Sequence, residues 1–293
     1  MLDEAGRVLA QRSFERGVLT VAPGQFPQVF GQCFADWSTQ PGVLCLMSGM
    51  VGSKQGWREA PYCACSAGFA QIAAKLTWLE PGRMALVPGL SCEHPGLPAP
   101  SEPATAPDVM RGEETQVLGA LQLLGIEDAV MVLPGTHSKW VQVRGRRVES
   151  FSTFMTGELF SLLRRHSILA RTLPTADPPP DDEAFAWGVK VALRGTSLLH
   201  TAFSTRTLAL FDRVPGARLA DYLSGLVIGE ELRAQPLAPN ARVVIIGAKH
   251  LTRRYQQALA LKNQAAQCLG QEATWAGLRA IADSISHNLA EAS

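Results

Sequence analysis

Met110-Arg-Gly-Glu-Glu-Thr-Gln116 sets two adjacent carboxylates behind a glycine, and Leu133-Pro-Gly-Thr-His-Ser-Lys-Trp140 is a small-residue turn rich in hydrogen-bond donors. One helix-like segment separates them. Phosphoryl transfer needs such a pairing. A carboxylate holds or deprotonates the attacking hydroxyl, and a Gly-Thr turn lets backbone N–H groups and a hydroxyl approach phosphate oxygens. Each stretch also has a plainer reading. Acidic residues complement the dipole of a helix N-terminus, which alone accounts better for Glu113 and Glu114. Pro-Gly is an ordinary turn pair, yet a turn does not require Thr136, His137, Ser138 and Lys139 in succession. Lys139 could meet phosphate or carboxylate as a point charge.

A third stretch, Ser48-Gly-Met-Val-Gly-Ser-Lys-Gln-Gly-Trp-Arg58, carries three glycines, a lysine, an arginine and an indole after an apolar run. An anionic sugar acid would want backbone donors, a cation for its carboxylate and an aromatic face for its carbon chain. A plain flexible loop would look the same. Phe154-Met-Thr-Gly-Glu-Leu159 reads as a capped helix start, with Thr156 at the cap and Glu158 in the first turn. Ile246-Gly-Ala-Lys-His250 reads as a tight strand-to-helix turn where Gly247 would let a base or ribose lie against the backbone. His94, His166, His200 and His287 show no partner spacing.

The elements that must position these residues alternate in the α/β manner. The patterning predicts short strands at Val8–Arg12 and Val18–Val21, then a helix over 25–40 with Phe26, Val29, Phe30, Phe34 and Trp37 on one face. Val43–Met47 reads as a buried parallel strand opening into the glycine loop. A helix over Phe69–Leu79 and a strand at Met84–Val87 follow. Glu93–Pro107, with five prolines, reads as an irregular loop ending at a lobe boundary near residue 108. Beyond it come a helix over Glu113–Leu124, a strand at Ala129–Leu133, and a hairpin joining Trp140–Val143 to Arg147–Phe151. After a Pro-rich break over Leu173–Asp182 the chain reads as mostly helical, with an apolar face over Leu219–Leu232. A strand at Arg242–Gly247, a helix through Tyr255 and a last helix over Thr274–Leu289 complete it.

Composition narrows the classes. A length of 293 residues suits two domains, and 46% hydrophobic with 18% charged residues suits packed cores. A net charge of +1 and the lack of a basic stripe argue against nucleic-acid or membrane surfaces. No apolar run approaches the ~20 residues of a membrane span, and Met1–Gly6 is acidic rather than signal-like, so the cytoplasm is expected. Six cysteines at 33, 45, 63, 65, 92 and 268 lack zinc spacing and read as buried reduced thiols. No Walker-type loop, dinucleotide fingerprint, nucleophile elbow or His-Glu-x-x-His is present.

Taken together, Met47–Ser53 with Gly56-Trp57 and Ala60–Tyr62, Met110–Gln116, Pro134–His137 with Lys139–Val141, Met155–Leu159 and Leu223–Gly229 resemble the 2-dehydro-3-deoxygalactonokinase family, sugar-acid kinases of the actin-like ATPase superfamily. The resemblance implies an α/β fold of two ribonuclease-H-like lobes, with mixed sheets flanked by helices and a cleft between them. The lobes would be 1–108 on the substrate side and 109–293 on the phosphate and adenosine side. It implies ATP with Mg²⁺, and phosphorylation of the 6-hydroxyl of 2-dehydro-3-deoxy-D-galactonate. Glu113 would be the base and Glu114 the second choice. Gly49, Met50, Val51, Gly52, Ser53, Lys54, Trp57 and Arg58 would hold substrate. Gly135, Thr136, His137, Lys139, Thr156, Gly157, Gly247 and Ala248 would hold phosphate and ATP, and no residue is assigned to the metal.

The family's first strand and Asp-aromatic-Gly-Ser/Thr turn are missing before Val8, which points to a coding sequence starting upstream. The expected partners are a sugar acid and ATP, without nucleic acid or membrane, and a homodimer is compatible with the sequence. Two alternatives stay open: a non-catalytic sugar-acid or nucleotide binder on the same fold, and a kinase for another keto-deoxy sugar acid.

Overall fold

The computed structural model describes residues 1–98, 105–176 and 178–291. In chain order the elements begin with α1 (Phe26–Ser38), β1 (Cys45–Met47), β2 (Tyr62–Ala64), α2 (Phe69–Ala74), β3 (Thr77–Glu80), β4 (Met84–Leu86), β5 (Gly89–Pro98) and β6 (Thr105–Met110). Next come α3 (Glu113–Leu124), β7 (Ala129–Leu133), β8 (Ser138–Arg144), β9 (Arg147–Phe154), α4 (Thr156–His166) and α5 (Asp182–Leu193). The chain continues through α6 (Leu198–Leu210), α7 (Gly216–Ala234), β10 (Val243–Ile246), α8 (Lys249–Ala260), β11 (Ala266–Leu269) and α9 (Glu272–Glu291). Among the described residues no helix is long and apolar enough to cross a membrane.

The chain divides into two compact units, the first made of 1–129, 141–152 and 269–293, the second of 130–140 and 153–268. The expected boundary at residue 108 falls inside the first unit. There, β1 pairs parallel to β4 and β4 antiparallel to β3, while β2 pairs parallel to β5 and β5 antiparallel to β6. In the same unit α2 packs on α9, and α9 in turn crosses α3. The two helices approach so closely that a side-chain carbon on Gly119 would overlap the Ala273 carbonyl, and one on Gly277 the Thr115 carbonyl. Glycine is what permits that crossing.

Five strands are ordered β11-β10-β7-β8-β9, with β10 parallel to β7, and the second unit holds β10, residues 130–133 of β7 and 138–140 of β8. Val243–Ile246 is buried throughout, as expected of a parallel strand covered on both faces. Val132, Trp140, Val243 and Ile245 from the sheet join Phe185, Val189, Tyr255 and Leu259 from the helices in one core. A second cluster gathers Ala184, Leu219, Leu223 and Leu226 around the α5/α7 crossing. The β8/β9 hairpin, whose tip belongs to the first unit, turns at Gly145-Arg146, both at positive φ (51° and 59°), as a two-residue type I′ connection demands.

Several expected elements differ. Val8–Arg12 and Val18–Val21 are not strands: Val8 only bridges back to Leu2, and Val18–Thr20 is a 3₁₀ turn. An extended segment becomes a strand when a neighbour accepts its ladder. Val8 and Leu9 instead border a cavity of about 630 Å³ lined also by Phe30, Trp37, Leu46 and Trp275. The helix expected over Phe69–Leu79 stops at Ala74, because Thr77-Trp78 turns into β3 and pairs with β4 across the Pro81-Gly82 turn.

The described part of Glu93–Pro107 is not irregular, since β5 and β6 form an antiparallel pair with Glu93 opposite Pro107. Proline is tolerated because β2 covers β5 only from Gly89 to Ser91 and β6 is an edge strand. Residues 99–104 of that stretch lie outside the described residues. All six cysteines are free thiols, but only Cys63 and Cys92 are buried, and Cys268 is exposed. Burial pushes the Cys65 thiol up to about 12.

Candidate active site

The first unit brings the carboxylate pair and the glycine loop together. Gly112, at φ +109°, turns the chain into α3 so tightly that a carbon added to it would lie 3.2 Å from the Gly49 Cα. The 48–58 loop therefore lies against the start of the carboxylate helix. Glu113 is half-buried, and its Oε2 accepts the Arg111 N–H at 3.1 Å. Glu114 is fully buried. Its Oε2 accepts the Gly112 N–H at 2.6 Å and its Oε1 accepts the hydroxyls of Ser48 and Thr115, each at 3.2 Å. Burial pushes the Glu114 carboxyl up to about 7, and the Glu113 charge adds to the shift, while backbone N–H groups and Ser48 oppose it. The two neighbours thus differ in kind, one reaching solvent and the other saturated inside the fold.

The loop itself is ordered by backbone bonds: Trp57 N–H to Val51 O at 2.8 Å and Ala60 N–H to Gly52 O at 2.9 Å. Gly52 and Ser53 are buried, whereas Met50, Lys54 and Arg58 are exposed. The Trp57 ring packs on Phe30 with centroids 5.5 Å apart, and Arg58 Nη1 donates to Trp78 O at 3.1 Å.

Arg111 escaped the sequence reading as a site residue, although it stands inside the Met110–Gln116 motif. Its Nη2 donates to Ala60 O at 2.8 Å and its guanidinium lies 4.5 Å from the Tyr62 ring centroid. Its Nε and Nη1 are buried without a protein partner. A carbon added to Gly52 would stand 3.2 Å from that Nη1. The signal was an arginine two residues from a carboxylate, beside a loop that wants a cation.

The second unit brings the other turns together. Val132 of β7 stands opposite Ile245 of β10, so Pro134-Gly135 and Gly247-Ala248 leave the same end of two adjacent parallel strands. A carbon on Gly247 would lie 3.5 Å from Pro134 O. The first turn of α4 lies on the Gly135-Thr136 turn. Glu158 N–H donates to Thr136 O at 2.9 Å, and a side chain at Gly157 would overlap the Gly135 carbonyl.

Thr136 and His137 are exposed, and His137 Nε2 is 2.7 Å from Glu158 Oε2. Lys139 is buried and its Nζ donates to Thr153 Oγ1 at 2.7 Å, so its ammonium follows the β8/β9 pair. Thr156 begins α4 as its first residue, and Met155 rather than Thr156 occupies the cap position. The Thr156 hydroxyl donates instead to Glu231.

Around these turns is a cavity of about 450 Å³, lined by Gly135, Thr156, Gly157, His250 and Tyr255, with Arg164, Arg253 and Arg254 supplying positive groups. The starts of α4 and α8 add the partial positive charge of helix N-termini. Arg254 pairs with Asp221, which also accepts the Asp181 N–H, and its guanidinium lies 4.6 Å from the Phe185 ring centroid. Among the described residues no group of three or more His, Cys, Asp or Glu side chains is poised to hold a metal.

The family model for 2-keto-3-deoxy-galactonokinase matches residues 1–281. A 2-dehydro-3-deoxygalactonokinase of Escherichia coli (strain K12) is 32% identical over 289 residues, covering 98% of this chain and 94% of the relative. A Rhizobium meliloti (strain 1021) protein named as a probable 2-dehydro-3-deoxygalactonokinase is 36% identical over 292 residues, covering 97% and 92%. The crystal structure of a Sinorhizobium meliloti protein proposed to be a 2-dehydro-3-deoxygalactonokinase superposes with a TM-score of 0.87 at 34% identity, covering 97% of this chain and 94% of that one. The fold is accordingly the α/β, ribonuclease-H-like fold of actin-like kinases, with mixed sheets flanked by helices. With a model that matches nearly end to end and relatives above 30% identity, the chain belongs to the 2-keto-3-deoxy-galactonokinase family of phosphotransferases.

Proposed function

We propose that this chain transfers the γ-phosphoryl group of ATP to the 6-hydroxyl of 2-dehydro-3-deoxy-D-galactonate. The observation that carries the reading is the convergence, inside the second unit, of the Gly135 and Gly247 turns on a cavity bordered by three arginines, a histidine and two helix N-termini. Such a site suits a polyphosphate attached to a flat base. In the first unit the loop from Gly49 to Arg58 abuts the helix bearing Glu113 and Glu114, a juxtaposition suited to a sugar acid whose hydroxyl must lose a proton.

Glu113 takes the base role, because it is half-buried where Glu114 is enclosed. Glu114, whose two oxygens are spent on Gly112, Ser48 and Thr115, holds the loop and the helix start in register. The hydroxyl oxygen forms the new P–O bond as its proton passes to Glu113. The bond to the β-phosphate oxygen breaks, and ADP leaves with that electron pair. The Gly135 and Thr136 amides and the Thr136 hydroxyl support the phosphoryl oxygens. Mg²⁺ arriving with the nucleotide would supply charge neutralisation at the phosphates. Arg111, anchored under Gly52, orients the loop that receives the sugar acid.

A coupled ADP-release assay with the keto-deoxy sugar acid tests this. The chain should turn over, and Glu113→Gln should lower kcat by about 10²-fold or more, in the range expected for loss of a general base. An unchanged rate in Glu113→Gln would remove Glu113 from the base role. Ligand binding by calorimetry without ADP release would identify a binder instead, and faster turnover of another keto-deoxy acid would reassign the substrate.

A further inference from the structure

The geometry points to Glu231 as the positioning residue that holds the nucleotide wall of the second unit together, an inference that rests on the cavity being the nucleotide site. Glu231 lies on α7 and is 2% exposed. Four donors from three other elements converge on its carboxylate. Oε1 accepts Ser138 Oγ at 2.7 Å and Trp140 Nε1 at 2.5 Å, both from β8. Oε2 accepts the Thr156 hydroxyl, from the first residue of α4, and the Tyr255 hydroxyl, from α8, at 2.7 Å.

A buried carboxylate is expensive unless such donors satisfy it, and an apolar side chain would serve a merely packed core as well. The positions of the donors explain the choice. Ser138 and Thr156 bracket the Gly135-Thr136 turn from both ends, one opening the strand after it and the other opening the helix laid on its backbone. Thr156 and Tyr255 also line the cavity. One carboxylate thereby fixes the phosphate-type turn, the start of α4 and the α8 wall relative to each other.

Hydrogen-bond chemistry makes the role testable. The indole N–H of Trp140 only donates, so in Glu231→Gln the amide oxygen must keep the Oε1 position. The new NH₂ then faces Thr156 and Tyr255, whose hydroxyls can turn and accept. The variant retains shape and packing while reversing the two bonds nearest the cavity. Tyr255→Phe removes one of them and leaves the carboxylate in place.

On the full chain, KM for ATP should rise about tenfold in Glu231→Gln, the equivalent of one hydrogen bond's worth of alignment. It should rise several-fold in Tyr255→Phe. KM for the sugar acid should stay within twofold in both. If Glu231→Gln does not fold, the ATP affinity of Tyr255→Phe, read by calorimetry, decides alone. An ATP affinity unchanged in both variants overturns the inference. So does a parallel rise of both KM values with a falling melting temperature, the pattern of general loosening. Arg254→Met separates the two failures. Weakened ATP binding there with normal binding in Glu231→Gln rejects Glu231 only, whereas normal binding in both rejects the cavity as the nucleotide site and the inference with it.

Discussion

Ser48 and Glu114 are 66 residues apart in sequence, and the Ser48 hydroxyl donates to Glu114 Oε1 at 3.2 Å. The same carboxylate accepts the Gly112 N–H at 2.6 Å. The end of β1, the glycine turn into α3 and the first turn of that helix therefore share one buried group. A change at Glu114 should be felt by the loop and by the fold before it is felt by chemistry.

The pH dependence of stability follows. In the folded chain Glu114 titrates at about 7, against 4.5 unfolded. Below 4.5 both states are protonated and the contribution is fully present. Between 4.5 and 7 the unfolded state ionises first, so stability falls as pH rises and reaches its full loss above 7. The limit is about 3 kcal/mol at ~1.4 kcal/mol per unit. Glu114→Gln, whose amide can serve the same partners, should gain stability relative to the parent across that window in urea titrations at successive pH values. A constant difference between the two proteins would refute the shift.

Gly119→Ala should be strongly destabilising. The added methyl meets the Ala273 carbonyl, a backbone atom that cannot swing aside, so α9 must move off α3. Overpacking of this kind costs about 1–3 kcal/mol and sometimes more. Chemical denaturation should show a lowered midpoint, and a midpoint unchanged within error would mean that the helices do not cross there.

Gly157→Ala tests the second unit. A methyl there presses on the Gly135 carbonyl and displaces the Gly135-Thr136 turn, proposed above to hold phosphate. Displacements of that size at a reacting group cost about 10²-fold. The expected result is a fall of roughly ten- to hundredfold in kcat/KM for ATP with the sugar-acid affinity retained, and equal loss for both ligands would count against the turn's role.

Arg111→Lys keeps the charge but loses the planar stack on Tyr62 and the bond geometry at Ala60 O. KM for the sugar acid should rise several-fold, about 1 kcal/mol, while KM for ATP holds. Steady-state kinetics with each substrate varied in turn would show it. An effect on ATP alone would place Arg111 elsewhere in the reaction.

Legibility in the sequence followed locality. Glu113–Leu124 and Ala129–Leu133 stand where the patterning puts them, because Gly112 and Gly125 punctuate the helix and an uninterrupted apolar run fills the strand. The adjacency of Gly135 and Gly247 was implied only by resemblance, since it arises from β7/β10 pairing more than a hundred residues apart. Glu231 was invisible for the same reason: its four donors lie 24 to 93 residues away, and a glutamate on a helix reads as a solvated face. Proline misled at Glu93–Pro107, where ladder position decides what proline can do, and Val8–Arg12 has strand residues without a strand neighbour.

The α3/α9 crossing has a consequence for biosynthesis. Residues 113–124 leave the ribosome about 150 residues before 272–291, the helix that covers Gly119. The second unit is complete in the chain by residue 268, before α9 exists to close the first. Contacts of such long sequence separation form slowly. The nascent chain must carry an uncovered α3 through the synthesis of an entire folded neighbour. Over that interval the surface that α9 later covers stays open, and uncovered surface of this kind favours aggregation in a growing chain.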